Sequence, residues 1–221
     1  ALLREQAPFN AQMSVRRAAG ELGRRLSEAL GQELGCAEHF VSTFSNSGAE
    51  AVEIAIKHAE FSRQKRLQAA FDQLDFVLAG LSGGQQAYVE FDVGELELPA
   101  GLLPAHLTTV TLRQLAEAVR QHNLAQLHAA PVFVAMRRSF HGKLVSSVQL
   151  TYGRQYRQPF ARFGLNVDFV DPEQPLQLEE LRQRHRRDWL SLEFAGARPV
   201  LHREPCSSIA AILLEPIQGE G

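Results

Sequence analysis

The sequence predicts an α/β fold in which a mainly parallel sheet is flanked by helices. Short apolar runs at 131–136, 166–171 and 208–214 alternate with longer stretches whose apolar residues recur at helical spacing. A short run of this kind suits a strand that is covered on both faces, because the intervening helices then lie above and below the sheet. The alternation of strands and helices therefore favours parallel strands.

The composition is typical of a globular protein with a substantial core. Apolar residues make up 45% of the 221 residues. The formal net charge is −2, so no strong overall field favours a nucleic acid or an anionic membrane as a partner. The sequence contains no apolar run long enough to span a bilayer and no recognisable signal peptide.

The two cysteines, Cys36 and Cys206, show neither metal-ligand spacing nor a disulfide framework. They favour a reducing compartment, and we expect a cytoplasmic protein without a bound metal. The chain begins at Ala1 without an initiator methionine and ends at Gly221, just after a strand-like run. We therefore expect part of a larger domain, with the C-terminal part of that domain absent.

The first third of the chain predicts a helix, a strand and a second helix. An apolar stripe at helical spacing within residues 1–35 is formed by Val15, Ala18, Ala19, Leu22, Leu26 and Leu30. The apolar residues at 40–44 predict a strand, and a helix is expected from Gly48 to beyond Arg66. One face of this second helix carries Val52, Ala55, Ile56 and Ala59.

The next part of the chain, residues 67–130, shows the weakest periodicity. Its pattern predicts a helix over 67–81, extended chain or a short hairpin over 87–98, and a helix over 111–128. Further on, a helix is expected over 172–187, between the second and third apolar runs.

The polar turn at 45–50 joins the first predicted strand to the following helix. Ser47 and Glu50 have the spacing of a capping box, in which the side chain of each bonds a backbone amide of the first turn. A glycine-containing turn before a helix also directs several N–H groups at one point, which favours an anion. By themselves, these residues fit an ordinary capped helix better than a phosphate site.

Two further polar turns, Ser139–Lys143 and Glu215–Glu220, follow predicted strands. Ligands of an open parallel sheet bind outside the carboxyl ends of its strands. Taken alone, Phe140 could be a platform for a polar ring or a core residue, and His141 could be a surface histidine. Glu215 could likewise serve a site or only end its strand. Three such turns in this order are much more specific than any one of them.

The three motifs resemble those of the class-III aminotransferases, which are pyridoxal-5′-phosphate enzymes of fold type I and include the ornithine and 4-aminobutyrate transaminases. The similar segments are 46–51 with 54–57, 139–143 and 211–221. The resemblance implies that residues 1–221 are an incomplete large, cofactor-binding domain. It also implies that residues from about 62 to 130 are an insertion, which a protein surface tolerates well.

The resemblance implies cofactor-binding roles for residues of all three motifs. Ser47, Gly48 and Ala49 match the turn that holds the cofactor phosphate through backbone amides and a hydroxyl. Phe140 matches the aromatic residue that stacks on the pyridine ring, and His141 matches its neighbour near the edge of cofactor and substrate.

Two glutamates of the last motif match residues of the family's active site. Glu215 matches a carboxylate of the inner site. Glu220 matches a substrate-proximal glutamate that, in some members, pairs with an arginine or helps to choose the substrate. The chain departs from the family at Lys143, where an arginine is usual, and this change keeps the charge but loses the planar fork.

Transamination needs two further groups, which the resemblance places downstream of this chain. One is a lysine that forms a Schiff base with the cofactor, and the other is an aspartate on the pyridinium nitrogen. No catalytic residue is therefore expected here. Lys57 is expected to pair with Glu53 on a helix surface, Lys65 lies in a polar stretch, and Lys143 replaces an arginine.

The resemblance implies a parent protein that moves an amino group between an amine or amino acid and a 2-oxo acid or aldehyde. We expect a homodimer with small-molecule substrates and no nucleic-acid or membrane partner, and we expect the 221 residues alone to be inactive. Two alternatives stay open. One is an aminomutase, racemase or decarboxylase of the same fold, and the other is a non-catalytic truncated homologue that acts as a binding module.

Overall fold

The computed structural model describes residues 17–81, 88–195 and 198–219, and it divides the chain into two units between Ser47 and Gly48. The first unit contains α1 (Arg17–Leu34), followed by irregular chain. The helix predicted over 1–35 is confirmed from Arg17 onwards, and residues 1–16 lie outside the described chain. Within this unit, the buried Ser27 hydroxyl accepts a hydrogen bond from the amide of Phe40 at 3.0 Å.

The strand predicted at 40–44 is wrong, because these residues form irregular chain. A strand needs a neighbour to satisfy its backbone N–H and C=O groups, and no described strand pairs with this segment. Val41 is 94% exposed and Phe44 is 46% exposed, so their apolar character does not reflect burial within the described chain.

The second unit contains all the remaining described helices and strands. The helices are α2 (Gly48–Leu81), α3 (Leu112–His128), α4 (Ser147–Leu150), α5 (Arg154–Arg157) and α6 (Leu176–Arg184). The strands are β1 (Glu90–Asp92), β2 (Thr109–Thr111), β3 (Val132–Met136), β4 (Asn166–Val170), β5 (Arg186–Ala195), β6 (Arg198–Ser207) and β7 (Ile209–Leu213).

Three of these strands form the parallel sheet that the sequence predicts, in the order β4-β3-β7. Side chains of the central strand alternate between the two faces. Phe133 and Ala135 pack with residues of α2 and α4, whereas Val134 and Met136 pack with α6. The α/β fold with flanking helices is therefore confirmed, and the apolar runs at 131–136, 166–171 and 208–214 are its strands.

A second core lies where α2, α3 and β5 meet, and we call it the helix–hairpin core. Its buried members are Leu74, Val110, Leu112, Leu115, Ala116, Val119, Leu190 and Leu192. The helices predicted from Gly48 and over 67–81 form the single helix α2, whose first half packs on the sheet and whose second half supplies Leu74. Residues 62–130 therefore share a core with a segment much later in the chain.

Two sets of hydrogen bonds fix α3 in the helix–hairpin core. Its amino-terminal end has a capping box, in which the Thr111 hydroxyl accepts from the Gln114 amide while the Gln114 side chain accepts from the Thr111 amide. On the buried face, the amide group of Asn123 donates to the Leu190 carbonyl at 2.8 Å and accepts from the Leu190 N–H at 3.1 Å. Asn123 has no exposed surface, so both halves of its amide are satisfied inside the core.

The antiparallel hairpin of β5 and β6 replaces part of the helix predicted over 172–187. Helix α6 ends at Arg184, and β5 begins at Arg186. The arginine-rich pattern at this point does not distinguish the outer face of a helix from an exposed strand. The extended chain predicted over 87–98 corresponds only to the three-residue strand β1, which pairs antiparallel with β2.

Candidate functional site

The turn after β3 and the end of β7 meet at the carboxyl edge of the parallel sheet. The two strands are parallel neighbours, so both lead to the same edge. The backbone amide of Phe140 donates to Glu215 Oε2 at 2.8 Å. Gln218 adds a second link, because its side chain donates to the carbonyl of Arg137 at 2.8 Å. Two of the motifs noted in the sequence therefore form one hydrogen-bonded site.

The first turn of α2, which begins at Gly48, contacts the turn after β3 through Ala49 and Gly142. Gly142 has a φ of +115°, a conformation that favours glycine. A Cβ atom at this position would lie 2.5 Å from Ala49 Cβ and 3.0 Å from Ala49 Cα. Only glycine permits this approach, which places the amino-terminal end of a 34-residue helix beside the turn. Ser47 immediately precedes this helix in the chain.

Thr151, which the sequence analysis missed, holds the backbone of the turn after β3. Its hydroxyl accepts a hydrogen bond from the His141 amide and donates one to the Gly142 carbonyl, each at 3.0 Å. Ser139 adds a bond from its hydroxyl to the Leu150 carbonyl at 3.2 Å. Thr151 and Ser139 are only 1% and 3% exposed, so neither bond competes with bulk water.

Glu53 has a different role from the predicted surface ion pair with Lys57. Its Oε1 atom accepts hydrogen bonds from the amides of Ser146 and Ser147, at 2.7 and 2.8 Å. These amides lie at the amino-terminal end of α4, where backbone donors lack partners within the helix. The carboxylate therefore ties α2 to α4, and the predicted ion pair is not formed.

Phe140 and Lys143 form a small aromatic and cationic group with Tyr156. The Phe140 and Tyr156 rings meet edge to face, with their centroids 6.3 Å apart. Lys143 Nζ lies 6.0 Å from the Phe140 centroid and 5.0 Å from the Tyr156 centroid, within the range of a cation–π contact. No sequence pattern singles out Tyr156, because its contact with Phe140 depends on where the fold places α5.

His141 is buried beside this group and carries an unpaired ring nitrogen. It is 7% exposed, and its Nε2 atom has no hydrogen-bond partner among the described residues. Burial lowers the pKa of His141, although the Glu215 carboxylate partly opposes this effect. The imidazole is therefore neutral at neutral pH. A buried polar atom without a partner costs about 1–3 kcal/mol, which marks this position as suited to a ligand atom.

The other residues noted in the sequence lie outside the described chain or apart from this site. Glu220 lies outside the described residues. Lys57 and Lys65 are exposed on α2. Within 17–81, 88–195 and 198–219, no cluster of His, Cys, Asp and Glu side chains is arranged to hold a metal ion. In the same part of the chain, no helix combines the length and the apolar character needed to cross a membrane.

The residues that meet at the sheet edge fit a phosphorylated heteroaromatic cofactor. They supply a helix amino terminus, a half-buried aromatic ring and an unpaired imidazole nitrogen. None of the curated proteins with which the chain was compared matches it. The model of one protein family, Aminotransferase class-III, matches residues 4–221. Since this match covers almost the whole chain, the protein belongs to the class-III aminotransferase family.

Proposed function

We propose that this chain is part of a pyridoxal-phosphate-dependent transaminase that moves an amino group between an amine or amino acid and a 2-oxo acid or aldehyde. Membership of the class-III family supports a transaminase-like function and this cofactor. The observation that carries the proposal is the meeting of the three motifs at one sheet edge. Ala49 touches Gly142, and Glu215 bonds the Phe140 amide.

In this proposal, the cofactor phosphate is held by Ser47, Gly48 and Ala49 at the start of α2. The N–H groups at the start of a helix and the dipole of a long helix both favour a phosphate there. The bound cofactor would supply an electron sink for the substrate's reacting carbon. The chain's own contribution is to position it.

The turn after β3 would hold the ring of the cofactor. Phe140 would present its ring face to the pyridine, with its orientation fixed by Tyr156 and by the bond from its amide to Glu215. The unpaired Nε2 atom of the neutral His141 would find a polar partner on the cofactor or substrate. Glu220 would lie near the substrate, as the resemblance implies.

The lysine that attaches the cofactor and the aspartate that binds its pyridine nitrogen are proposed to come from outside these 221 residues. Lys57 and Lys65 point from the exposed surface of α2, and the Nζ atom of Lys65 lies 5.4 Å from the Phe61 ring centroid. The Nζ atom of Lys143 lies over the Phe140 and Tyr156 rings. We therefore propose that the 221 residues alone do not catalyse transamination.

Three further properties belong to the same proposal. The parent protein would be a homodimer, as the family resemblance implies. It would be cytoplasmic, which agrees with the free thiols of Cys36 and Cys206. Residues from about 62 to 130 would be an insertion into the large domain, as the resemblance implies.

The proposal is tested by incubating the parent protein with pyridoxal phosphate and a panel of amino donors while recording cofactor absorbance. Transamination converts the cofactor to pyridoxamine phosphate, and a 2-oxo acid then restores it. A racemase, aminomutase or decarboxylase would change the amino acid without this exchange. A protein that binds no cofactor would contradict the proposal, and turnover by the 221 residues alone would contradict their proposed inactivity.

A further inference from the structure

A separate cavity of about 300 Å³ lies at the opposite end of β7 from Glu215. Its walls come from α2, α3 and the hairpin, and Ile209, the first residue of β7, lines it. The strand then leads away from the cavity toward the carboxyl edge of the sheet. The cavity is thus distinct from the candidate cofactor site, and its volume is in the lower part of the range for small-molecule sites.

The charged part of the cavity lining is predominantly cationic. It includes the guanidinium groups of Arg63, Arg66 and Arg187 but only one carboxylate, that of Glu204. Arg63 is 9% exposed, and its guanidinium donates to both carboxylate oxygens of Glu60 at 2.8 Å. Because Arg63 is already paired in this way, Arg66 and Arg187 are the cations available to a ligand.

Arg66 and Arg187 form no ion pair with any described residue. Arg66 is exposed, while Arg187 is half-buried and uses Nη1 to donate to the carbonyls of Arg184 and Arg186. Glu204 accepts a bond from the Ser191 hydroxyl at 3.1 Å. One carboxylate beside two uncompensated guanidiniums favours a ligand with a single negative charge.

The lining also contains apolar residues, together with the uncharged polar residues Gln126, Cys206, Ser207 and Ser208. Leu67, Ala70 and Pro205 form part of the wall, and Trp189 lies among them. Trp189 is 5% exposed, and its ring meets Phe71 edge to face with centroids 5.5 Å apart. Its Nε1 atom is buried and has no hydrogen-bond partner in the part of the chain that the structure describes, so this donor is unsatisfied.

We propose that this cavity binds a small organic carboxylate with an aromatic or branched apolar body. Its carboxylate would pair with Arg66 and Arg187, since guanidinium groups match carboxylates in charge and in planar geometry. Its apolar body would lie against Trp189, Leu67 and Pro205, where burial of apolar surface adds affinity. The hairpin, α2 and α3 line the cavity, so a bound ligand would also stabilise the packing of the helix–hairpin core on the sheet.

The test uses phenylacetate as the probe and Trp189 as the reporter, because the chain contains one tryptophan. Phenylacetate should change the tryptophan emission saturably, whereas neutral phenylacetamide should bind about tenfold more weakly or worse. Acetate, which lacks an apolar body, should also bind more weakly. Titration calorimetry under the same conditions gives a readout that does not depend on the emission change.

Two variants, Arg66→Ala and Arg187→Gln, test whether phenylacetate binds in this cavity, and Arg113→Ala is the matched control. Arg113 is an exposed arginine on α3 and does not line the cavity. Arg66→Ala should weaken phenylacetate binding by about tenfold, and Arg113→Ala should leave it unchanged. Since Arg66 is exposed, its substitution should not affect folding, which circular dichroism checks. Arg187→Gln should also weaken phenylacetate binding, provided that circular dichroism shows it to be folded.

Three outcomes of the binding experiments above would overturn the proposal. They are an absence of saturable binding by both methods, equal affinity for phenylacetate and phenylacetamide, and equal affinity of the Arg66→Ala and Arg113→Ala variants. Saturating pyridoxal phosphate should leave phenylacetate binding intact, because the two sites lie at opposite ends of β7. Displacement by the cofactor would place the probe at the sheet edge and would also contradict the proposal.

Discussion

The edge of the parallel sheet and the helix–hairpin core are built in contrasting ways. At the sheet edge, the buried Thr151 and the half-buried Glu53 and Glu215 hold the turns by hydrogen bonds to backbone amides. This edge also keeps one polar atom, His141 Nε2, without a partner among the described residues. In the helix–hairpin core, Leu115 has no exposed surface, and the buried amide of Asn123 is fully bonded.

We attribute this difference to the proposed role of the sheet edge in holding the cofactor and to the role of the helix–hairpin core in stability. Apolar packing contributes most of the free energy of folding, whereas oriented polar groups at a sheet edge cost stability and gain function. Exposure shows the same contrast, since Ile212 of β7 is 48% exposed while Leu115, Ala116 and Val119 are fully buried. Substitutions in the two regions should therefore have different consequences.

The largest loss of stability is expected for Leu115→Ala in the helix–hairpin core. The substitution leaves a cavity in fully buried packing and should lower the free energy of unfolding by about 2–5 kcal/mol. Leu176→Ala is the matched control, because Leu176 is 78% exposed and should change stability by less than about 0.5 kcal/mol. Urea denaturation measures both, and similar losses would show that the helix–hairpin core does not dominate stability.

A smaller loss is expected for Asn123→Leu, which removes the polar tie between α3 and β5. The N–H and C=O of Leu190 would be left buried without partners, at a cost of about 1–3 kcal/mol. Gln121→Leu, at an exposed position two residues earlier, is the control and should be nearly neutral. Hydrogen exchange at the Leu190 amide should become faster in Asn123→Leu alone, and an unchanged rate would contradict this role.

At the sheet edge, Thr151→Val should cost about 1–2 kcal/mol, because the isosteric change leaves the His141 amide without its acceptor. It should also weaken pyridoxal phosphate binding by disturbing the turn that carries Phe140 and His141. The exposed Thr109, on β2, provides a Thr→Val control that should do neither. If Thr151→Val lowered stability but left cofactor affinity unchanged, the turn would be structural only.

The smallest effect on stability is expected from the titration of His141. Burial lowers its pKa in the folded protein, so the unfolded chain takes up a proton first as the pH falls. The resulting stability is fully present above the unfolded pKa of about 6.5 and is lost as the pH falls through the lower folded pKa. His141→Gln should reduce this acid-side loss, and His106→Gln, at an exposed position, should retain it. An unchanged pH profile in His141→Gln would contradict the assignment.

The sequence predicts the sheet well and the helix–hairpin core poorly, for physical reasons. Each strand of the sheet is a compact apolar run, and α3 has both a regular apolar face and the capping residue Thr111. The β5–β6 hairpin has neither signal, because β6 is largely exposed and contains Pro199 and Pro205. Its position depends instead on contacts with α2 and α3 that no local pattern records.

Sequence patterns likewise predict only part of the candidate site. The order of the three motifs predicts that their strand ends face one edge, and the structure brings together Ala49, Phe140, His141 and Glu215. Thr151 and Glu53 could not be predicted, because each acts on backbone amides that only the tertiary fold brings within reach. Spacing alone predicts a pair between Glu53 and Lys57, because no sequence pattern indicates that the amides of α4 lie near Glu53.

The central claim is that the turn after β3 and the start of α2 together bind pyridoxal phosphate. It is tested most directly by comparing cofactor affinity in Gly142→Ala and Gly101→Ala, using equilibrium dialysis. Both glycines have positive φ, at +115° and +79°, but only a Cβ at Gly142 would collide with Ala49. We predict that Gly142→Ala weakens binding by about tenfold or more while Gly101→Ala binds normally. Equal affinity in the two variants would contradict the claim.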